Sequence, residues 1–390
     1  DPRGARGMEA FHAKYGEKAA FNISGIANMG INTIYQLYEM AQSGDPGLEI
    51  ADKVLMIPDL LEYMLCGGIS TEYTNATTMQ MLDSQTGKWS KEILSMMGLP
   101  DSLFTDIQIS GDVKGELLPY IQQETGLKNR PKIYCVGSHD TASAVASIPA
   151  VTDQYAFISS GTWSLMGVVS DNAIINDTVY NSRLSNEGTI TGAFRPLKNI
   201  MGLWIIQNCK RQWDREQLCN WDDLVQMAKQ TPAFRSFINV NANDFFDGDN
   251  MPQKIQAYCK ATGQQVPETK GEITRVVYES LAMSYRQTFI SLEELKGRHI
   301  DVLHIVGGGS KNSLLNQFTA DAIDREVIAG PGEATAIGNL LVQVKASGEL
   351  KDLAEMRQVI RDSFDVQSFE PKEAAAWAEQ YDRYLKITRQ

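Results

Sequence analysis

Cysteine is sparse in this chain of 390 residues, and its five copies (Cys66, Cys135, Cys209, Cys219, Cys259) are scattered with no CxxC pair. That spacing fits neither a disulfide framework nor a cysteine-built zinc site. Histidine is scarcer still: four residues, His12, His139, His299 and His304, form no HxH or HExxH pattern. No protein-ligated transition metal is therefore expected. No stretch approaches the roughly 18 apolar residues of a membrane span, and no basic-then-apolar leader opens the chain. The expected setting is the reducing cytoplasm. Lys and Arg are outnumbered by Asp and Glu, 36 to 48, for a formal charge of −12. Phosphate backbones and acidic membranes need basic surfaces, so neither nucleic acid nor membrane is an expected partner. An anionic nucleotide stays open, because local donors decide its binding.

What is present is ordinary globular material, 43% hydrophobic and 22% charged. Its length suits two or three domains at about 150 residues each. Apolar residues between 31 and 40 mark a helix ending at Gly44-Asp45-Pro46-Gly47, and residues 59–65 mark another stopped by Gly67-Gly68. A short β-rich run, 131–136, enters a Gly-Ser-His-Asp turn, with a helix expected over 142–146. Residues 155–158 and 165–169 read as a hairpin. Ile273, Val277, Leu281, Tyr285, Phe289 and Leu292 form one stripe of a long helix. A strand at 302–306, a triple glycine, a helix from 312 to 322, a strand at 326–329 and a helix at 334–346 make a βαβ unit. The expected class is α/β, with helices covering sheets.

Two stretches carry candidate chemistry. Val136-Gly137-Ser138-His139-Asp140-Thr141-Ala142-Ser143 places one carboxylate, Asp140, in a turn of small residues. Asp140 suits a general base, since a reference pKa of about 3.9 leaves it ionised at neutral pH. It equally suits the N-cap of the helix that follows, and taken alone the cap is the commoner role. His139 is a packed or substrate-orienting histidine, and Thr141 a structural hydroxyl or a sugar contact. Ser159-Ser160-Gly161-Thr162-Trp163-Ser164 is a Ser/Gly/Thr turn after an apolar run, where backbone N–H groups can cradle a phosphate. Ser and Gly also dominate plain turns. Thr162 is the candidate hydroxyl for a terminal phosphate. Gly307-Gly308-Gly309, between strand and helix, would let a planar ring or phosphate approach the backbone. Asn199 is a candidate helix N-cap and Gln207 a surface amide about two turns further on. A base and a phosphate cradle so close in sequence point to phosphoryl transfer to an alcohol.

In this order, these residues resemble the FGGY family of carbohydrate kinases, in its branch acting on L-rhamnulose. The segments that carry the resemblance are Glu72-Tyr73-Thr74-Asn75-Ala76-Thr77-Thr78, the runs at 138–145 and 159–167, Leu197-Lys198-Asn199-Ile200-Met201-Gly202-Leu203-Trp204, and His304-Ile305-Val306-Gly307-Gly308-Gly309. They span essentially the whole chain.

The resemblance implies an actin-like, ribonuclease-H-like pair of α/β lobes holding sugar and MgATP between them. It implies a first lobe over 1–149, a nucleotide lobe over 150–370 and a C-terminal helix over 371–390. The implied roles are Asp140 as base, and His139, Asp140, Thr141 and Asn199 on the sugar. Thr162, Gln207 and Gly308 fall on the nucleotide. The implied reaction moves the γ-phosphate of ATP to the C1 hydroxyl of L-rhamnulose, with Mg²⁺, in a monomer or weak dimer. Fuculose or xylulose kinases of the family are the alternative. The family opens with an Asp-x-Gly phosphate hairpin, and none precedes Asp1. On that ground the first lobe is expected to be incomplete and the chain to turn over weakly or not at all, leaving a silent sugar- or nucleotide-binding fragment as the further alternative.

Overall fold

The computed structural model describes residues 2–389. By contacts between Cα atoms the chain forms two units that interleave in sequence. The first holds the chain through Pro149, then Val169–Leu197 and Thr335–Asp362. The second holds Ala150–Val168, Lys198–Ala334 and the chain from Ser363 onward. The stretch expected to run unbroken from 150 to 370 thus contributes two pieces to the first unit.

In the first unit, helix Pro2–Tyr15 packs on helix Thr33–Ser43, which ends at Gly44 in the left-handed conformation (φ 65°). Phe11, Ile34, Tyr35, Tyr38, Met81, Ile93 and Met97 form the core between them, all at most 2% exposed. A second core joins Val136, Ala142 and Ala146 to Ile190, Leu341, Val342, Met356 and Ile360. That packing draws residues Thr335–Asp362, nearly all of helices Ala334–Ala346 and Leu353–Ser363, to this unit. Sheet structure here is short: Thr71–Glu72 runs parallel to Ile107–Gln108, and Val113–Glu116 pairs antiparallel with Lys132–Tyr134. Strand Ser185–Gly188 pairs antiparallel with the 194–197 part of strand Phe194–Met201, whose remainder belongs to the second unit.

In the second unit the strand order is Gln367–Phe369, Glu326–Ala329, Val302–Val306, Tyr155–Ser160, Trp163–Gly167. Val302–Val306 lies parallel to both its neighbours, and the two outer pairings are antiparallel. Helix Ser313–Ile323 links the parallel strands, completing the βαβ unit expected from the pattern. Helix Lys270–Lys296 starts at a Thr269–Glu272 capping box and buries the anticipated stripe. It also buries Thr274, Val276, Tyr278 and Glu279, because helices Trp221–Gln230 and Ser313–Ile323 both pack on it. C-terminal helix Ala374–Thr388 buries Trp377 and Tyr384. Among the described residues no helix is long and apolar enough to cross a membrane.

Candidate active site

The Asp140 group stands on the first unit. Helix Asp140–Ala146 takes His139 as its N-cap residue, in extended conformation, and Asp140 as its first residue. The Asp140 carboxylate therefore does not cap the helix. Its Oδ1 accepts from the N–H of Thr141 at 2.6 Å and from the Thr141 hydroxyl at 3.3 Å. The carboxylate side chain is 79% exposed. Thr141 is buried and its hydroxyl faces Asp140, so what it visibly does is orient the carboxylate.

The turn before this helix is fixed by Glu72, which is fully buried. Its Oε2 accepts from Ser138 N at 3.2 Å, Ser138 Oγ at 2.9 Å, Thr74 Oγ1 at 2.6 Å and Asn75 N at 3.1 Å. Its Oε1 accepts from Ser110 Oγ at 3.0 Å. Thr74 Oγ1 in turn accepts the N–H of His139 at 3.3 Å. The Glu-Tyr-Thr-Asn segment is thus the anchor of the Ser138–His139 turn.

His139 is 23% exposed at its side chain, and its Nδ1 lies 2.8 Å from Nη2 of Arg195. Arg195 is fully buried, donating Nε–H to Gly188 O at 2.8 Å and Nη2–H to Glu187 Oε2 at 2.9 Å. Burial lowers the pKa of His139 and Arg195 lowers it further, against Glu187 and Asp140, which raise it. Sequence reasoning missed Glu72, Glu187 and Arg195, since charged residues are read as surface. A signal existed for the last two: Ile190-Thr191-Gly192-Ala193 is a hairpin turn, and it sets Arg195 opposite Glu187.

The second unit gathers Thr162, Gln207 and Gly308 around one corner. Thr162 is exposed in the turn between strands Tyr155–Ser160 and Trp163–Gly167. The chain at 202–204 closes on that turn, with Gly202 N and Trp204 N donating to Thr162 O at 3.2 and 3.1 Å. Leu203 N donates to Gly161 O at 3.1 Å. Gln207 sits on the first turn of helix Trp204–Trp213. Asn199 is not a helix cap: it lies in strand Phe194–Met201, so the helical spacing expected between the two amides does not apply. The strand persists to Met201 as the sheet neighbour of Trp163–Gly167, and the helix starts only after Gly202 has turned the chain. A Cβ on Gly202 would lie 2.6 Å from Trp163 C and 2.7 Å from Ser164 N, both backbone atoms. Gly202→Ala is therefore expected to cost about 1–3 kcal/mol in denaturant unfolding, as overpacking does.

The triple glycine backs the same corner. Gly307 has φ 87°, with Ser160 O 2.9 Å from its ideal Cβ position, and at Gly309 Ser160 Oγ would overlap a Cβ. A Cβ built on Gly308 would meet nothing within 4 Å, so that side of the residue faces open space. Asn312 then caps helix Ser313–Ile323, accepting from Leu315 N at 3.1 Å.

Solved structures that resemble this one include sugar and glycerol kinases. A ligand-bound xylulose kinase from Lactobacillus acidophilus superposes at TM-score 0.77 with 16% identity, over 99% of this chain and 78% of that one. Plasmodium falciparum glycerol kinase with ADP gives 0.77 and 15%, over 100% and 78%. The fold is thus the two-domain, actin-like fold of these kinases. Sequence narrows the class further. The N-terminal domain model of the FGGY family of carbohydrate kinases matches residues 1–146, and its C-terminal domain model matches 156–347. A rhamnulokinase of Bacteroides thetaiotaomicron is 41% identical over 389 residues, covering 100% of this chain and 79% of that protein. One from Bacillus subtilis is 41% identical, over 91% of this chain and 72% of its own length. The chain belongs to the FGGY family of carbohydrate kinases and is an ATP-dependent sugar kinase.

Proposed function

We propose that the protein transfers the γ-phosphate of ATP to the C1 hydroxyl of L-rhamnulose, giving L-rhamnulose 1-phosphate and ADP. The observation that carries the sugar assignment is similarity to rhamnulokinases along the whole chain, at 41% identity. Asp140 takes the C1 hydroxyl proton as the oxygen attacks the γ-phosphorus and the bond to the β–γ bridging oxygen breaks. Its exposure, and the Thr141 N–H that aims it, support this role. His139, Thr141 and Asn199 are assigned to the sugar. Thr162, Gln207 and Gly308 are assigned to the nucleotide, and the open space where a Cβ of Gly308 would stand supports a ligand's close approach. Phosphoryl transfer depends mostly on positioning and charge stabilisation.

Among the described residues no group of three or more His, Cys, Asp or Glu is placed to hold a metal. Mg²⁺ commonly enters kinases on substrate phosphates, retaining waters, and that mode asks for no cage from this chain. Mg²⁺ would supply charge neutralisation on the phosphates. A cytoplasmic setting accords with a sugar kinase that draws on cellular ATP.

Comparison of kcat/KM on L-rhamnulose, L-fuculose and D-xylulose tests the substrate. L-rhamnulose should lead by at least about tenfold, the discrimination that one differently placed methyl or hydroxyl can produce in a fitted pocket. A preference for D-xylulose rejects the assignment.

A further inference from the structure

We propose that Arg195 is a positioning residue of the sugar site: by donating Nη2–H to Nδ1 of His139, it holds the imidazole as the neutral Nε2–H tautomer. His139 then meets the sugar as a hydrogen-bond donor, recognising a carbonyl or hydroxyl oxygen. The functional half of this inference rests on the assignment of His139 to the sugar; the tautomer does not.

The argument is one of donors and acceptors. A guanidinium has five N–H groups and no acceptor. Whatever faces it at 2.8 Å must offer a lone pair, and here that atom is Nδ1. The ring hydrogen of neutral His139 is thereby left on Nε2. A doubly protonated ring would set one N–H against another, so the cation is disfavoured as well. Burial acts in the same direction.

Arg195 cannot turn away from this contact. It is fully buried in the strand Phe194–Met201 and paired in register with Glu187. Its Nε is spent on Gly188 O, and the second hydrogen of Nη2 goes to Glu187 Oε2. The charged groups facing His139 are then Arg195, Glu187 with Oε2 3.8 Å from Nδ1, and Asp140 with Oδ1 3.9 Å from Nδ1. Glu72 acts at one remove, through the Thr74 hydroxyl that receives the His139 N–H. Both close carboxylates favour an Nδ1–H proton, and Arg195 is the group that opposes them. Its removal should therefore let Nδ1 take a proton from the Glu187 side, reversing the tautomer or charging the ring.

The tautomer can be read directly. Long-range ¹H–¹⁵N correlation on protein labelled at its four histidines should show His139 with pyrrole-type Nε2 and unprotonated Nδ1 from neutral pH upward. In Arg195→Met the Nδ1 resonance should move to the protonated type and the His139 pKa should rise. An Nδ1–H tautomer in the parent protein, or an unchanged His139 in Arg195→Met, overturns the proposal. Because Arg195→Met strands a buried carboxylate, Arg195→Met with Glu187→Gln keeps the test available if the single variant fails to fold. In that pair the Nδ1–Arg195 contact is gone without a charge left behind, and the Nε2–H preference should be lost. Glu187→Gln alone keeps Arg195 and should keep the tautomer.

Kinetics separate positioning from stability. Loss of one hydrogen bond to the sugar should raise KM for L-rhamnulose about tenfold in the double variant. KM for ATP should not move. Unchanged sugar KM with a changed tautomer would overturn the positioning role. The spectra are recorded without substrate, so they stand whichever sugar the protein phosphorylates.

Discussion

Asp140→Asn should lower kcat on L-rhamnulose by about 10²–10⁴-fold, the usual worth of a positioned base. The amide keeps the shape of the carboxylate, and its carbonyl oxygen can still accept from the Thr141 N–H that Oδ1 now receives at 2.6 Å. What it cannot do is take a proton. Because the side chain is 79% exposed and, among the described residues, bonds to its neighbour Thr141, the fold should hardly register the change. Substitutions at such positions usually stay within about 0.5 kcal/mol. KM for either substrate should move less than kcat, since the interaction removed is one made as the proton departs. Turnover near the parent value would remove Asp140 from the role of base. A large fall in the unfolding midpoint would show instead that the carboxylate is structural.

Several elements of the fold could be read from sequence, for a physical reason. The 302–306 strand, the 326–329 strand and the 334–346 helix appear where periodicity and glycine punctuation put them, because there local propensity and tertiary packing agree. The turn bearing Thr162 was legible for the same reason. Asn199 was not. Its surroundings were read as a helix start, yet the strand continues past the 194–197 pairing to Met201, with Trp163–Gly167 as its other neighbour, and only Gly202 lets the chain turn. Helix Pro2–Tyr15 was also missed: Gly4 and Gly7 count against a helix by propensity, and burial against Thr33–Ser43 overrides them. The largest loss is the buried polar layer. Glu72, Glu187 and Arg195 are charged residues inside, and a pattern reader assigns such residues to the surface. Their partners are 66, 48 and 56 residues away in the cases of Ser138, His139 from Glu187, and His139 from Arg195. Distances of that kind are set by the fold and are absent from any local window.

The same layer yields the largest expected effect on stability, at Lys114. Its side chain is 1% exposed, and its Nζ donates to Asp59 Oδ1 at 2.9 Å and to Glu62 Oε2 at 2.7 Å. Asp59 is fully buried, and its Oδ1 also accepts the backbone N–H of Glu72 at 3.0 Å. The triad thus underlies the residue that anchors the Ser138–His139 turn. Lys114→Met would leave two carboxylates without their cation, a loss that typically costs about 3–5 kcal/mol. The pH dependence identifies the cause. Burial raises the pKa of Asp59 and of Glu62 even with Lys114 in place, and its ammonium holds both shifts down. Without it they rise further, so the folded protein binds these protons more tightly than the unfolded chain does. Stability of the variant should therefore recover as pH falls through the raised pKa values. Unfolding in urea at pH 7 and at pH 5 should show the deficit shrinking on acidification. Adding Asp59→Asn and Glu62→Gln to Lys114→Met should recover much of it at pH 7, because no buried charge then remains. A deficit equal at both pH values would trace the loss to the packing of the lysine stem instead. Either way, loosening Asp59 should pass through Glu72 to the turn that carries His139 and Asp140, so variants here should lose sugar affinity before they lose nucleotide affinity.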